Sequence, residues 1–399
     1  LDESQERYVK FTFVNQVWLR YTDLNPGSRV YGEDASSKFD IGLRRTRFII
    51  DAQIHPRVYV FTQFGLNNFN YSNQRKSEFF LHDAWAYYDL VKKHFSIGAG
   101  LSPYSGYARY STPAVGSILA LDAPLFQQST ADINDQFLRG LSIFAKGKIG
   151  KLDYRIAITD PLAIQNASAN PGSDYSHSNF SRKIPNKLFH GYINYQFLDQ
   201  EDNKTSYMTG TYLGKKDLFN LGFGWKYQQD GFQRFDGVDT IEEDMILLAM
   251  DVFFEKRLDE EKGNAVTLYG GYFNNTFGKD YLRNLGVMNP ATDLDLLKAE
   301  FNGIGNAFPM MGSRNILFVQ GAYYISNNIP IQPYINFSYS DFKRLKAPVS
   351  MYESGFTYYI DGNNAKLSLG TQFRPIVDAI DLKPISHKGM YVLQFQVKI

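Results

Sequence analysis

Met390-Tyr391-Val392-Leu393-Gln394-Phe395-Gln396-Val397-Lys398-Ile399 divides into two rows. Tyr391, Leu393, Phe395, Val397 and Ile399 form a large apolar or aromatic row. Gln394, Gln396 and Lys398 share the other row with Met390 and Val392. A repeat of two marks a β-strand whose faces meet different surroundings. Such a last strand suits a soluble sandwich or barrel, or the closing strand of a barrel in a bilayer. In the bilayer, lipid covers the apolar row and closure leaves no unpaired edge. The rest of the chain decides between them.

The chain has 399 residues, which in a soluble protein would suggest roughly two or three domains. No stretch approaches the roughly 20 apolar residues of a spanning helix. The longest apolar run, Met245 to Met250, ends at Asp251. Aromatics make up 16% of the chain, with 28 Tyr and 32 Phe against 3 Trp. That content suits a barrel with aromatic belts at both interfaces, in which only half of each strand is apolar. The absence of Cys removes disulfide frameworks and thiolate metal sites. A net charge of +1 argues against a nucleic-acid surface. No charged-then-apolar leader precedes Leu1, so an exported protein would be present here with its signal peptide already removed.

Alternation continues along the chain. In Glu6 to Tyr21, Val9, Phe11, Phe13, Val17, Leu19 and Tyr21 oppose Lys10, Thr12, Gln16, Trp18 and Arg20. In Phe39 to Ile54 the row Phe48, Ile50, Ala52, Ile54 opposes Arg45, Arg47, Asp51 and Gln53. Phe39, Ile41 and Leu43 have the opposite phase, which predicts a bulge near Arg44. Connections alternate long and short, as in outer-membrane barrels. Counting Ser206 to Gly214 as a spanning strand would put the long loop Gly278 to Ser313 on the short-turn side. Asp199 to Asp217 is therefore assigned as a periplasmic connection. The outcome is an all-β, single-domain transmembrane antiparallel barrel over residues 1–399, of about sixteen strands, with both termini periplasmic. A lumen of that strand number is wide enough for an aqueous channel.

Phe39-Asp40-Ile41-Gly42-Leu43-Arg44-Arg45-Thr46-Arg47 resembles the phosphate-selective porin O and P family of bacterial outer-membrane proteins. Asp83 to Tyr88, the glycine-rich strand Ser96 to Leu101 and Gln136 to Gly140 add to the likeness. It covers the N-terminal two-fifths best. It implies a trimeric, anion-preferring porin of the bacterial outer membrane, in contact with lipid and lipopolysaccharide, whose third loop folds inward. The matching loop is Ser102 to Asp135. It departs from the phosphate-selective pattern, offering Arg109 as its only base and acids at Asp122, Asp132 and Asp135.

Arg45, Arg47, Arg57, Arg155, Lys146, Lys366 and Arg374 fall on the inferred lumen face, with Arg109 on the loop. Guanidinium groups in a narrow aqueous pore attract small anionic solutes by charge and forked hydrogen bonds. The same side chains could instead pair with lumenal Asp40, Asp51, Asp83, Asp89, Asp153, Asp251 and Glu353 and brace the wall. Tyr104, Tyr107 and Tyr110 either line a constriction or pack the loop against the wall. Asp236, Asp239, Glu242, Glu243 and Asp244 form an acidic loop that could hold Ca2+, though without EF-hand spacing. Neither His-Glu-x-x-His nor Gly-x-Ser-x-Gly occurs, so the chemistry expected is passage or binding, not catalysis. Three functions remain: a channel for small hydrophilic solutes with no cofactor, a barrel with a blocked lumen serving partners in an outer-membrane complex, and, last in rank, a barrel enzyme with a dispersed dyad.

Overall fold

The computed structural model describes residues 7–74, 79–135, 137–164, 176–259, 261–326 and 328–399. Gln136 of the resembling motif, residues 75–78 and residues 165–175 of the loop after Asp160 lie outside these ranges. Sixteen strands make the wall. The first eight are β1 (Tyr8–Asp23), β2 (Ser37–His55), β3 (Val58–Phe69), β4 (Phe80–Val91), β5 (Phe95–Ser102), β6 (Gly140–Ile149), β7 (Leu152–Asp160) and β8 (Leu188–Gln196). The others are β9 (Leu218–Phe235), β10 (Thr240–Arg257), β11 (Ala265–Thr276), β12 (Arg314–Tyr324), β13 (Ile331–Phe342), β14 (Val349–Asp361), β15 (Ala365–Val377) and β16 (Pro384–Lys398).

Each strand pairs antiparallel with the next, and β16 pairs back onto β1 from Val14 opposite Lys398 to Thr22 opposite Met390. The ring therefore has no free edge, which is the condition for strands to cross a bilayer. Alternation is strict where the opening stretch predicts it: Leu393 is 39% exposed and its neighbour Gln394 is 1% exposed. The outward row is largely apolar, aliphatic and aromatic side chains together, with aromatic pairs toward both ends. Phe337 with Tyr352 and Tyr21 with Tyr391 mark one rim, and Tyr195 with Phe197 and Phe219 mark the other. This is the belt arrangement of a membrane barrel. Among the described residues no helix is long and apolar enough to cross a membrane.

The connections sort by end. The end with both strand termini carries short turns, such as 56–57, 150–151 and 362–364. The opposite end carries the long loops, including 103–139 and 277–313. Segment 197–217 joins β8 to β9 at the turn end without crossing the wall, as the strand count requires. Pairing of β1 with β2 shifts register between Gln16 and Val17, so that Arg44 and Arg45 both point inward. This is the bulge predicted by the phase change.

Two boundaries differ from the sequence expectation. β6 starts at Gly140, not at 136, because Phe137 and Leu138 have φ of 52° and 63°, a left-handed backbone that cannot join a ladder. β9 and β10 continue past a register shift after Gln228 to Phe235 and Thr240. Glu242, Glu243 and Asp244 therefore lie in a strand, and only Asp236 and Asp239 lie in the turn.

Candidate functional site

An inward row that lines water should be exposed to it. Here most of it is buried: Gln16, Trp18 and Arg20 of β1, Lys226 of β9 and Gln396 of β16 are all nearly inaccessible. Three inserted segments fill the space: loop 103–139, loop 277–313 and the turn-end segment 197–217.

Loop 103–139 runs through three single-turn 3-10 helices, Arg109–Ser111, Val115–Ser117 and Leu125–Gln127. Its tyrosines pack against the wall. Tyr104 stacks on Phe144 with ring centroids 4.0 Å apart, and Tyr110 lies 4.4 Å from the ring of Tyr269. Tyr107 sits edge-on to Phe273 and donates its hydroxyl to Asn275 at 3.3 Å. Gly224 permits this approach, since a Cβ there would stand 1.8 Å from the Tyr107 carbonyl oxygen.

Segment 197–217 rises from the other end to meet this loop. Met208 forms a parallel bridge with Pro113, its N–H donating to Thr112 O at 2.8 Å and its carbonyl accepting the Ala114 N–H at 2.9 Å. At the contact, Arg109 donates both guanidinium nitrogens to the two oxygens of Glu201, each at 2.7 Å. Arg109 is fully buried, lies 3.6 Å over the ring of Phe253, and also donates to Thr209 O at 2.7 Å. Glu201 accepts further bonds from the Tyr212 hydroxyl at 2.8 Å and Asn220 Nδ2 at 2.7 Å. Burial pushes the Glu201 carboxyl up, but Arg109 outweighs it and holds the group below its ordinary range. Glu255 secures the far side of the segment, accepting the backbone N–H groups of Tyr212 and Gly214.

Loop 277–313 closes the upper lumen. Arg283 donates to the Ala131 and Ser129 carbonyls of loop 103–139, at 2.8 and 3.0 Å. Arg20 pairs with Asp40 and reaches the Val287 carbonyl at 2.8 Å.

The cations expected along the pore are placed as follows. Arg44 and Arg45 both bind the Asp122 carboxylate, with Arg44 Nε to Asp122 Oδ2 at 2.8 Å and Arg45 also 2.9 Å from Gln16 Oε1. Burial raises Asp122, and the two guanidinium groups overcome this and lower it. Arg47 donates to the Leu66 carbonyl at 2.6 Å and to Asn67. Arg155 binds Asp153 at 3.2 Å and the Ser206 carbonyl at 2.5 Å. Lys146 donates to Asn203 O and Lys366 to Ile118 O, both at 2.8 Å. Arg374 holds Asn25 Oδ1 at 3.1 Å and the Asp23 carbonyl. Arg57 does not face the lumen: it lies exposed in the 56–57 turn, because β2 ends at His55 and β3 starts only at Val58. Arg109 sits on the inward loop, but its charge is matched by Glu201.

The acidic residues at the β9–β10 turn are engaged by protein groups. Asp236 accepts the backbone N–H groups of Val238 and Asp239, Asp244 accepts that of Asp230, and Glu242 and Glu243 pair with Lys183 and Arg234. Inward parity alone marks Arg20 and Lys226 as wall cations that the candidate list omits. Nothing periodic marks Glu201.

The remaining space includes a cavity of about 60 Å³ beside β13–β15. Glu353, Gln372 and Ser338 lie on its wall side, and Phe126, Phe308 and Met310 face them from the loops.

No protein-family model matches the chain, and no curated protein matches it in sequence. Solved structures do resemble it. The fold is similar to that of OmpF from Salmonella typhi in complex with daunomycin, with a TM-score of 0.55 and 11% identity over 100% of this chain and 99% of that one. It is also similar to the outer-membrane channel DcaP of Acinetobacter baumannii, at a TM-score of 0.54 and 10% identity over 100% and 99%. OmpT, an outer-membrane protein of Vibrio cholerae, gives 0.50 and 8% over 100% and 99%. At these identities the likeness is one of fold, and the fold is a sixteen-stranded barrel of the porin type.

Proposed function

We propose that this protein is a porin-type channel of the bacterial outer membrane, passing small hydrophilic solutes through a lumen restricted by its own inserted segments. The closed barrel carries this reading: an apolar belt outside, aromatic rims at both ends, and a polar wall around segments held by hydrogen bonds. The likeness to OmpF and DcaP supports it, and with it contact with outer-membrane lipid and a homotrimeric assembly. The phosphate-porin resemblance adds an anion preference. The excess of Arg44, Arg45, Arg47 and Arg139 over Asp122 and Asp83 supports that preference only where the plug leaves these groups open to solute. The reading is non-enzymatic. Thr159 Oγ1 lies 2.7 Å from His190 Nε2, but the pair is fully buried in the wall, away from any solute path.

A second function, a barrel subunit with a blocked lumen inside a larger complex, is favoured by the close docking of segment 197–217 on loop 103–139. Planar-bilayer conductance of the purified chain separates the two. Discrete ionic conductance supports the channel, and a silent bilayer supports the blocked barrel.

A further inference from the structure

We propose that the cavity beside Glu353 is a binding site for a small primary ammonium ion carried on a short apolar stem. Glu353 projects inward from β14 and is 6% exposed. Other buried acids of the lumen are matched. Asp40 holds Arg20, Asp122 holds Arg44 and Arg45, and Glu201 holds Arg109. Glu255 is filled by backbone donors, and Asp251 takes the Arg109 N–H with the Tyr192 and Tyr269 hydroxyls. Glu353 receives uncharged donors: the Leu121 N–H at 3.3 Å, the side-chain amides of Asn336 and Gln372, and the Tyr334 hydroxyl. Among the described residues no basic side chain pairs with it.

A carboxylate withdrawn from water without a counter-charge is costly, and a cation that enters beside it removes that cost. An ammonium group presents three donors and no acceptor, which suits a carboxylate in a cavity that the Ser338 hydroxyl also lines. The opposite wall is apolar, with Phe126, Phe308 and Met310, and accommodates a hydrocarbon stem. Asp122 also lines the cavity, while Arg44 and Arg45, which bind it, are not among the lining residues. A volume of about 60 Å³ holds roughly four or five water-sized groups, which is the heavy-atom count of n-butylammonium.

The test uses the full chain in detergent micelles, with n-butylammonium as ligand and 1-butanol as its neutral counterpart, read by titration calorimetry. The wild-type protein should bind the amine and not the alcohol. Glu353→Gln should weaken amine binding at least about tenfold, the loss expected when a charge-assisted hydrogen bond becomes a neutral one. Glu353→Asp should retain most of it, and Met310→Trp, which fills the cavity while leaving the carboxylate in place, should abolish it. Equal binding of the alcohol, undiminished binding by Glu353→Gln, or no binding by the wild type would overturn the proposal. The measurement does not depend on conductance. A silent bilayer would defeat the channel function alone, and the amine titration would still decide this site.

Discussion

Arg109 and Glu201 join segments that enter the barrel from opposite ends, so Arg109→Gln is the sharpest perturbation of the plug. Both partners are buried, and their two bonds are 2.7 Å each. Removing one member of such a pair costs about 3–5 kcal/mol, mostly because the other charge stays buried without a partner. At 1.4 kcal/mol per tenfold, that is roughly a 10²- to 10³-fold or larger shift from docked toward released segment. The wall should survive, since its ladder is independent of this contact. Two readouts follow: faster hydrogen exchange at the Met208 amide, which is bonded to Thr112 O, and a higher bilayer conductance. Adding Glu201→Gln should restore most of the docking, because an amide pair keeps hydrogen bonding without a stranded charge. Unchanged exchange at Met208 together with unchanged conductance in Arg109→Gln would refute the idea that this pair holds the lumen closed.

Acid should have a related effect. The carboxyls of Glu201 and Asp122 are held below their ordinary range, so their contribution is complete above that range and lost as pH falls through their lowered values. Conductance should therefore rise on acidification below about pH 4. Topology is checked by cysteine labelling with an impermeant reagent. A Cys replacing Leu297, which is exposed in loop 277–313, should label on intact cells, and one replacing Glu261, in the β10–β11 turn, only after lysis. The reverse pattern would invert the assigned orientation.

The wall was legible because its physics is periodic. Trp18 and Arg20 share the parity of Gln16, and the phase change at Arg44 is visible as a break in a row of alternating residues. The inserted character of segment 197–217 was legible only through the strand count, since Ser206 to Gly214 alternates like a strand yet forms no ladder. What it docks against was not legible. Arg109 and Glu201 are 92 residues apart on two irregular segments, and such a contact leaves no trace in periodicity or composition. Asp122 is a similar case: the sequence shows an acid on the loop, but not that Arg44 and Arg45 converge on it. The contrast in Gln394 is instructive. Its parity correctly turns it inward, yet it meets the indole N–H of Trp18 at 2.7 Å rather than water.

That contrast bears on charge selectivity. An irregular segment inside a barrel has carbonyl oxygens with no ladder to satisfy them, and each would be costly in a dry lumen. Wall cations meet this need, with one loop arginine: Lys366 takes Ile118 O, Lys146 takes Asn203 O, Arg155 takes Ser206 O, and Arg283 of loop 277–313 takes Ala131 O. While the plug is docked these charges are spent on backbone, and an ion passing the cavity wall meets Glu353 instead. Release of segment 197–217 frees Arg155 and Lys146 to face solute. Selectivity in a narrow pore depends on the unscreened charges at its constriction, because at physiological salt fields fade within about 8–10 Å. The reversal potential of Arg109→Gln channels in a KCl gradient should accordingly lie to the anion side of the wild-type value. The mutation itself removes a positive charge, so passive loss of that charge would move the potential the other way. An anion-side shift therefore reports the newly freed wall cations, and a cation-side shift would show that they stay bound to the backbone after the latch is cut.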